Sequence, residues 1–303
     1  METAMADTRT SHLNLDPQTF KQSFDREPFG FTHNLSELDL FSPDSLRAVA
    51  DLYRDHKKDY YVGAGAPAPG VRFYSVKHVD YKPAEALDHL GEGSYRILMK
   101  RPENHDKRFR GLLDTLFKQV IDLRGGLGNQ RVVRLESAIF ISSAATTTPF
   151  HFDPEIAFFS QIEGGKIYHV YSPSAVTEAE MEKFYLRGVI DIAQIDLKGR
   201  DPAKEHVFRL APGKGLHQPQ NAPHWVETGA GRSVSFSFVF ETTTSRATGR
   251  ARSFNYFTRK LGLKPARVGA HPGMDAVKEK AMKVVIPARK AAGKAVRKAL
   301  RKA

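Results

Sequence analysis

The sequence predicts a mainly β fold with flanking helices, in which short strands form a double-stranded β-helix, or jelly-roll, barrel. Two patterns indicate this fold. From residue 130 onward, short apolar runs alternate with turns that contain Gly or Pro, as in antiparallel barrels. Residues 233–240 alternate strictly between polar and apolar side chains, which is typical of a strand with one buried face. With 303 residues and 41% hydrophobic content, the chain is sufficient for one sizeable domain with additions, or for two small domains.

Composition and periodicity divide the chain into four regions. Residues 1–18 are polar and are predicted to be disordered, and residues 19–125 are predicted to be an α+β region that packs on the barrel. Residues 126–245 are expected to hold the jelly-roll core. Residues 246–303 are expected to form a basic helical extension.

Two amphipathic helices are predicted in the N-terminal region. Ser42 is a suitable cap for the first, which follows it directly, and the second is expected from Asp106 to about Leu123. A strand is predicted at residues 71–76. The Gly-, Ala- and Pro-rich loop before it, residues 63–70, is either a substrate lid or a simple connector.

The core region contains a series of short predicted strands, interrupted by an acidic insertion with a helical pattern at residues 177–187. Turn residues bound each of the apolar runs. The predicted strands are residues 132–141, a strand around His151, residues 166–171, residues 207–210, the segment leading into His224, and residues 233–240.

His151 and Asp153 lie two residues apart in a run that alternates like a buried strand. In an extended segment, residues two apart point to the same side, so this imidazole and carboxylate can both reach one metal ion. Non-haem Fe(II) oxygenases use two histidines and one carboxylate on one face, so a second, distant histidine is required. A similar pair, His78 and Asp80, is followed by a turn-forming proline and lacks the strand–turn–strand context.

The run TPFHFD around His151, followed by FFSQIEGGK, resembles the core of the Jumonji-C, or cupin-like, 2-oxoglutarate oxygenases. The likeness extends to the asparaginyl hydroxylase that acts on hypoxia-inducible factor and to its bacterial cupin-like relatives. It implies that Thr148 and Lys166 bind the distal carboxylate of the cosubstrate 2-oxoglutarate. This is physically reasonable, because a buried carboxylate needs a cation and a hydroxyl donor.

Residues 212–226 resemble the later segment of the same family, whose final histidine binds iron. The resemblance implies that His224 is the third ligand, with His217 as the alternative. Two positions depart from the family pattern. Ala157 stands where the asparaginyl hydroxylase has an asparagine, and Lys214 replaces an aspartate.

The resemblance implies an Fe(II)- and 2-oxoglutarate-dependent dioxygenase with His151, Asp153 and His224 as its catalytic metal ligands. The enzyme would hydroxylate a C–H of a protein side chain or small molecule and release succinate and CO2. Three alternatives stay open at this point. They are an N-methyl demethylase with the same site, a non-catalytic regulator that acts through the basic tail, and a cupin metalloenzyme of another kind.

The chain contains no cysteine, so disulfides and thiolate metal sites are excluded. It has no apolar run of the roughly eighteen residues needed to span a bilayer, and the N-terminal segment has no apolar core of a signal peptide. We therefore expect a soluble cytoplasmic protein.

The C-terminal extension has its own composition, with 17 Lys and Arg residues against 2 acidic residues, whereas the remainder of the chain is slightly acidic. A helix is expected at residues 253–263, and the tail after Pro287 has small apolar residues at helical spacing. The extension is either a contact for an anionic partner, such as nucleic acid or the ribosome, or a solvated and partly disordered tail. The family resemblance also suggests a homodimer interface built by C-terminal helices.

Overall fold

The computed structural model describes residues 11–72, 76–188 and 194–300. In this part of the chain two antiparallel sheets face each other, and the jelly-roll prediction is confirmed. The strands are β1 (Leu13–Asn14), β2 (Phe29–His33), β3 (Tyr60–Ala64), β4 (Lys77–His78), β5 (Tyr95–Lys100), β6 (Val132–Ser142), β7 (Thr147–His151), β8 (Ile156–Glu163), β9 (Lys166–Tyr171), β10 (Glu205–Leu210), β11 (Lys214–Gln218), β12 (His224–Thr228) and β13 (Ser233–Thr242).

The larger sheet has nine strands in the order β1-β2-β11-β8-β13-β6-β5-β3-β4, and the smaller sheet has four in the order β10-β9-β12-β7. Apolar side chains of both sheets fill the space between them, among them Phe159 of β8, Leu216 of β11, and Tyr168 and Val170 of β9. The barrel interior is therefore a packed core with one region left for polar side chains.

In the described ranges, seven α-helices surround the sheets. They are α1 (Pro17–Ser23), α2 (Pro43–Leu52), α3 (Pro83–Asp88), α4 (Lys107–Arg124), α5 (Glu178–Phe184), α6 (Thr243–Lys260) and α7 (Pro272–Leu300). The two helices predicted in the N-terminal region are confirmed as α2 and α4. Ser42 caps α2, since its side chain accepts a hydrogen bond from the Ser45 backbone N–H. The first four helices cover the outer face of the large sheet and form the main hydrophobic core with it.

Two regional predictions for the N-terminal part need correction. Residues 1–18 are not disordered throughout, because β1 pairs with β2 and α1 begins at Pro17; residues 1–10 lie outside the described part. Residues 19–125 do more than pack on the barrel, since β2 to β5 are strands of the large sheet itself. Long-range strand pairing, which local patterns do not reveal, causes both differences. The strand predicted at residues 71–76 falls partly on residues 73–75, which are also outside the described part.

Strand β13 is buried on both faces, although its alternating sequence predicted one exposed face. It lies between β6 and β8 in the middle of the large sheet. Its phenylalanines pack against the helices, whereas Ser235 faces the other way and donates a hydrogen bond to Oε1 of Gln161 at 2.8 Å. Serine is small and finds its partner inside the barrel, so the polar face is buried without cost in unpaired groups.

The C-terminal extension is helical, but its boundaries differ from the prediction. Helix α6 begins about ten residues earlier than expected, and α7 runs through Pro287 instead of beginning after it. The arginines of α6 form ion pairs with acidic residues of β13, α5 and α7, namely Arg246 with Glu241, Arg250 with Glu279, Arg252 with Glu178 and Arg259 with Glu182. Much of the basic charge of this region is thus used within the fold.

Across the residues described, we find no helix with the length and apolar character that a membrane crossing requires.

Candidate functional site

Three side chains with metal-ligating atoms meet at one end of the small sheet. His151 is the last residue of β7, His224 is the first residue of β12, and the Cα atoms of the two are paired across these neighbouring strands. The sequence predicted that Asp153 lies within this strand, but it lies just beyond the end of β7. One Asp153 carboxylate oxygen is 3.7 Å from Nε2 of His151 and 3.8 Å from Nε2 of His224. The three ligand atoms all lie within 4.8 Å of one another.

Backbone carbonyls orient both imidazoles. Nδ1 of His151 lies 2.7 Å from the Pro149 carbonyl oxygen, and Nδ1 of His224 lies 3.2 Å from that of Ala222. Each Nδ1–H therefore donates to a carbonyl, which leaves the lone pair of each Nε2 directed at the carboxylate. Metal-binding histidines usually donate their second ring N–H in this way, because the hydrogen bond fixes both the tautomer and the orientation of the ring.

The charges at this cluster suit a divalent cation. Burial, together with the neighbouring His151, lowers the pKa of His224 to about 3, so the ring is neutral at physiological pH. Burial alone would raise the pKa of Asp153, but His151, His224 and Arg134 hold it below its ordinary value. A neutral His224 imidazole and an ionised Asp153 carboxylate are thus present at neutral pH, which is the protonation state that a metal ion requires of these ligands.

Lys166 is a buried cation inside the barrel, 6% exposed. Its position follows from the β8–β9 turn, where Gly164 has a φ of 66° and an added Cβ would lie 2.1 Å from the Arg232 carbonyl oxygen. The Lys166 Nζ lies 5.3 Å from the Phe159 ring centroid. No carboxylate of the described residues pairs with it, and burial, with Arg96 nearby, lowers its pKa to about 7. A buried lysine without a counter-ion is costly, so this pocket is suited to an anionic ligand.

Arg96 of β5 adds a second cation to this pocket, and no local sequence pattern predicted it. Its Nη1 donates a hydrogen bond to Oγ1 of Thr148 at 2.9 Å, while its Nε is buried with no partner among the described residues. Because the Thr148 oxygen accepts from Arg96, its own hydroxyl proton is available to a ligand. Thr148 and Lys166 lie on β7 and β9, the two neighbours of β12 in the small sheet. These three side chains can surround one carboxylate.

Two further polar side chains form the wall of the site behind His224. The Tyr168 ring stacks on the His224 ring at 5.3 Å between centroids, and its hydroxyl donates to Oε1 of Gln218 at 2.7 Å. The Gln218 side-chain amide nitrogen is buried and has no partner among the described residues. A buried donor of this kind, in a site with two cations that have no carboxylate partner among the described residues, is what an oxygen-rich ligand needs.

Hydrogen bonds and a cation–π contact stabilise the loop before β12. The Asn221 backbone N–H donates to the Asp153 carbonyl at 3.0 Å, and the Asn221 side-chain oxygen accepts from the Tyr185 hydroxyl at 2.6 Å. Asn221 has a φ of 61°, a left-handed conformation that asparagine tolerates better than most residues. Arg252 of α6 lies over the Tyr185 ring at 5.3 Å, so the C-terminal helices support the loop that carries His224.

The other sequence candidates lie elsewhere. His217 is on the outer face of the large sheet, packed among the rings of Phe24, Phe29 and Phe158, and Nδ1 donates to the Ala157 carbonyl at 3.1 Å. It does not join the metal-ligating cluster of the described residues. His78 is exposed on the edge strand β4.

The two departures from the family pattern also have plain structural positions. The Ala157 carbonyl accepts the hydrogen bond from His217 that was just described, and Ala157 is paired with Gln218 across β8 and β11. Lys214 is exposed at the start of β11, where its carbonyl oxygen lies 3.2 Å from Nε2 of His33.

The residues fit a divalent metal ion together with a dicarboxylate. Two imidazole nitrogens and a carboxylate oxygen converge as metal ligands. The buried Lys166 lines the adjoining interior, as do the Arg96 and Gln218 donors that have no partner among the described residues. Asp153 has a side chain that is 29% exposed, whereas His151 is 6% exposed, so the carboxylate marks the open side of the cluster.

No protein-family model matches this sequence, and no curated protein matches it.

Solved structures of YcfD from Escherichia coli are similar in fold. One is superimposed with a TM-score of 0.52 and 19% identity, covering 90% of this chain and 68% of that chain. A second, described as a ribosomal oxygenase in complex with cobalt and 2-oxoglutarate, gives a TM-score of 0.52 and 19% identity over 91% of this chain and 67% of that one. A third, also described as a ribosomal oxygenase, gives 0.51 with 19% identity over 90% and 67%. The chain thus shares the jelly-roll fold of these ribosomal oxygenase structures.

Proposed function

We propose that this protein is an Fe(II)- and 2-oxoglutarate-dependent dioxygenase that hydroxylates a C–H of a protein side chain or small molecule. The observation that carries the proposal is the convergence of His151, Asp153 and His224 in the same barrel as a buried Lys166 that pairs with no carboxylate of the described residues. A jelly-roll metal site alone would need no such lysine. The shared fold with ribosomal oxygenase structures, one of them holding cobalt and 2-oxoglutarate, adds support.

The residues have separate tasks in this proposal. His151, Asp153 and His224 would hold the metal on one face, and Lys166, Thr148 and Arg96 would bind the distal carboxylate of 2-oxoglutarate. When bound, iron and 2-oxoglutarate supply the oxidising chemistry, with succinate and CO2 as products. Tyr168 and the surrounding aromatic side chains keep water from the inner side of the cluster. The substrate would approach from the side on which Asp153 is exposed.

The test is succinate formation from 2-oxoglutarate by the purified full chain with Fe(II) and ascorbate. Wild type should turn over, and His151→Ala should not. His78→Ala is a matched control, because His78 belongs to the other His-x-Asp pair and is exposed on an edge strand. Wild type that binds neither Fe(II) nor 2-oxoglutarate would contradict the proposal. Demethylation uses the same residues, and no contact in the site favours it.

For the substrate, we propose a protein component of a ribonucleoprotein, with α7 as the contact to nucleic acid. The similar ribosomal oxygenase structures suggest this class of partner. Among the described residues of α7, Lys280, Lys290 and Lys294 have no carboxylate partner, unlike the arginines of α6. Unpaired cations on one helix are suited to phosphates, whereas paired ones contribute little to such binding.

The contact can be tested by measuring binding to ribosomal particles and to naked ribosomal RNA at several salt concentrations. Substituting the three lysines with glutamine should weaken binding and reduce its salt dependence. Substitution of Lys57, which is exposed and outside α7 but paired with Asp80, is the control. Binding that is equally strong in the triple variant would rule out α7 as the contact.

A further inference from the structure

A second His–Asp–His group lies away from the barrel interior. His56 and Asp59 are on the loop between α2 and β3, and His105 follows the turn Pro102–Asn104 after β5. One ligand atom from each of the three side chains lies within 4.8 Å of the others. None of these residues takes part in the site described above, and the sequence analysis did not single them out.

The backbone already holds this group in a defined arrangement. The Asp59 N–H donates to the His56 carbonyl at 2.8 Å, and its carbonyl accepts from the Lys100 N–H at 2.7 Å. Nε2 of His105 lies 3.1 Å from Oδ2 of Asp59, and the rings of His56 and His105 are 4.5 Å apart between centroids. Main-chain hydrogen bonds thus fix the backbone at Asp59, and side-chain contacts bring the two imidazoles to its carboxylate.

Arg101 binds the other carboxylate oxygen, Oδ1 of Asp59, and so leaves Oδ2 directed at the histidines. A partner of this kind orients a metal-binding carboxylate from outside. Arg101 is also held in a left-handed conformation with a φ of 55°, and strained backbone of this type occurs at binding sites. Since Arg101 offsets the negative charge, the group is better suited to a metal that prefers imidazole than to Mg2+ or Ca2+.

The group has one closed and one open side. The side chain of His105 is 8% exposed and that of Asp59 is 15% exposed, whereas His56 is an exposed residue. Zinc–ligand distances of about 2.0–2.2 Å place tetrahedral ligand atoms roughly 3.4 Å apart. His105 and Asp59 already satisfy this separation at 3.1 Å, so the remaining adjustment falls to His56. The exposed His56 side chain is free to make that movement, because it lies at the rim of the loop.

We propose that His56, Asp59 and His105 form a second, solvent-accessible binding site for a divalent transition-metal ion such as Zn2+, with water in its remaining positions. This site is independent of the proposed oxygenase activity. Its effect would be to tie the α2–β3 loop to the turn after β5, two segments that meet at the edge of the large sheet.

The experiment is a zinc titration of the tag-free full chain by calorimetry, with bound metal counted after desalting. Wild type should bind two zinc ions, one in each cluster. His56→Ala and His105→Gln should each reduce this to one, and so should His151→Ala, while a variant that combines His56→Ala with His151→Ala should bind none. His78→Ala, an exposed histidine outside both clusters, should still bind two.

The outcomes separate the two sites. If His56→Ala and His105→Gln bind as many zinc ions as wild type with unchanged affinity, the second site does not exist. If His151→Ala binds no zinc, the same conclusion follows, and His224→Gln checks it in a second variant. If His56→Ala and His105→Gln each bind one zinc ion fewer than wild type but His151→Ala binds as many as wild type, the second site stands and zinc binding by the barrel cluster is contradicted. Since His56 is exposed, its substitution tests the proposal without disturbing the core.

Discussion

The two His–Asp–His groups contain the same residue types but are built in different ways. The barrel cluster joins two neighbouring strands, and backbone carbonyls fix both of its imidazoles. The peripheral cluster is on loops, and one of its carboxylate oxygens is already bound to an arginine. The comparison shows that strand pairing and the neighbouring anion pocket, rather than residue type, distinguish a candidate catalytic centre from a surface binding site.

The largest expected effect comes from removing one histidine from each cluster, which tests whether only the barrel cluster is needed for catalysis. His151→Ala should lower the rate of succinate formation by at least about 100-fold. Mutating even a residue that hydrogen-bonds to a metal ligand typically lowers metal affinity or activity by about 10–100-fold. His105→Gln should leave the rate within about twofold, because His105 is not in the barrel. Rates measured at saturating Fe(II) would check this, and an equal loss in both variants would contradict it.

The second prediction concerns the anion pocket, which the peripheral cluster lacks. Lys166→Ala should raise the KM for 2-oxoglutarate by roughly 10- to 100-fold, because a hydrogen bond to a charged group contributes about 1.5–3 kcal/mol. Arg96→Met should raise it in the same direction by a smaller factor, since Lys166 would stay. Metal binding should be unchanged in both variants. A normal KM in Lys166→Ala would show that the buried lysine does not meet the cosubstrate.

The third prediction follows from the pKa of Lys166, which burial lowers to about 7. Below pH 7 the side chain of the free protein is charged and ready for an anion. Above pH 7 it is neutral, so binding must take up a proton, and the KM for 2-oxoglutarate should rise by up to about tenfold per pH unit. Lys166→Arg should abolish this rise, because a guanidinium stays charged. Wild-type and variant KM values that change in parallel from pH 7 to pH 9 would contradict the assignment.

The smallest expected effect tests the support of the barrel cluster. Tyr185→Phe removes the hydroxyl that donates to the Asn221 side chain at 2.6 Å, next to the loop that carries His224. Because a typical hydrogen bond contributes about 0.5–1.5 kcal/mol, Fe(II) binding should weaken by roughly 2- to 10-fold. Zinc binding at His56, Asp59 and His105 should be unaffected. Titration of both sites in the same variant measures this difference directly.

The sequence predicted the parts of the site that follow from local spacing. His151 and Asp153 lie two residues apart near the end of a strand, and the Gly164–Gly165 turn sets the position of Lys166 at the start of β9. The resemblance to a known family then added Thr148 and His224. Asp153 was expected within the strand, but it lies two residues beyond the end of β7, because a strand end depends on its pairing partners.

By itself, the sequence determined the jelly-roll class, the helices α2 and α4, and the His-x-Asp pair, since each depends on periodicity or spacing within one short segment. Only the tertiary structure brought Arg96 to Thr148, Tyr185 to Asn221, and His56 to His105. The partners in these pairs are distant in the chain, and their contact depends on sheet order and strand register. Register is set by the burial of whole faces, a property of the assembled barrel that no single stretch of sequence specifies.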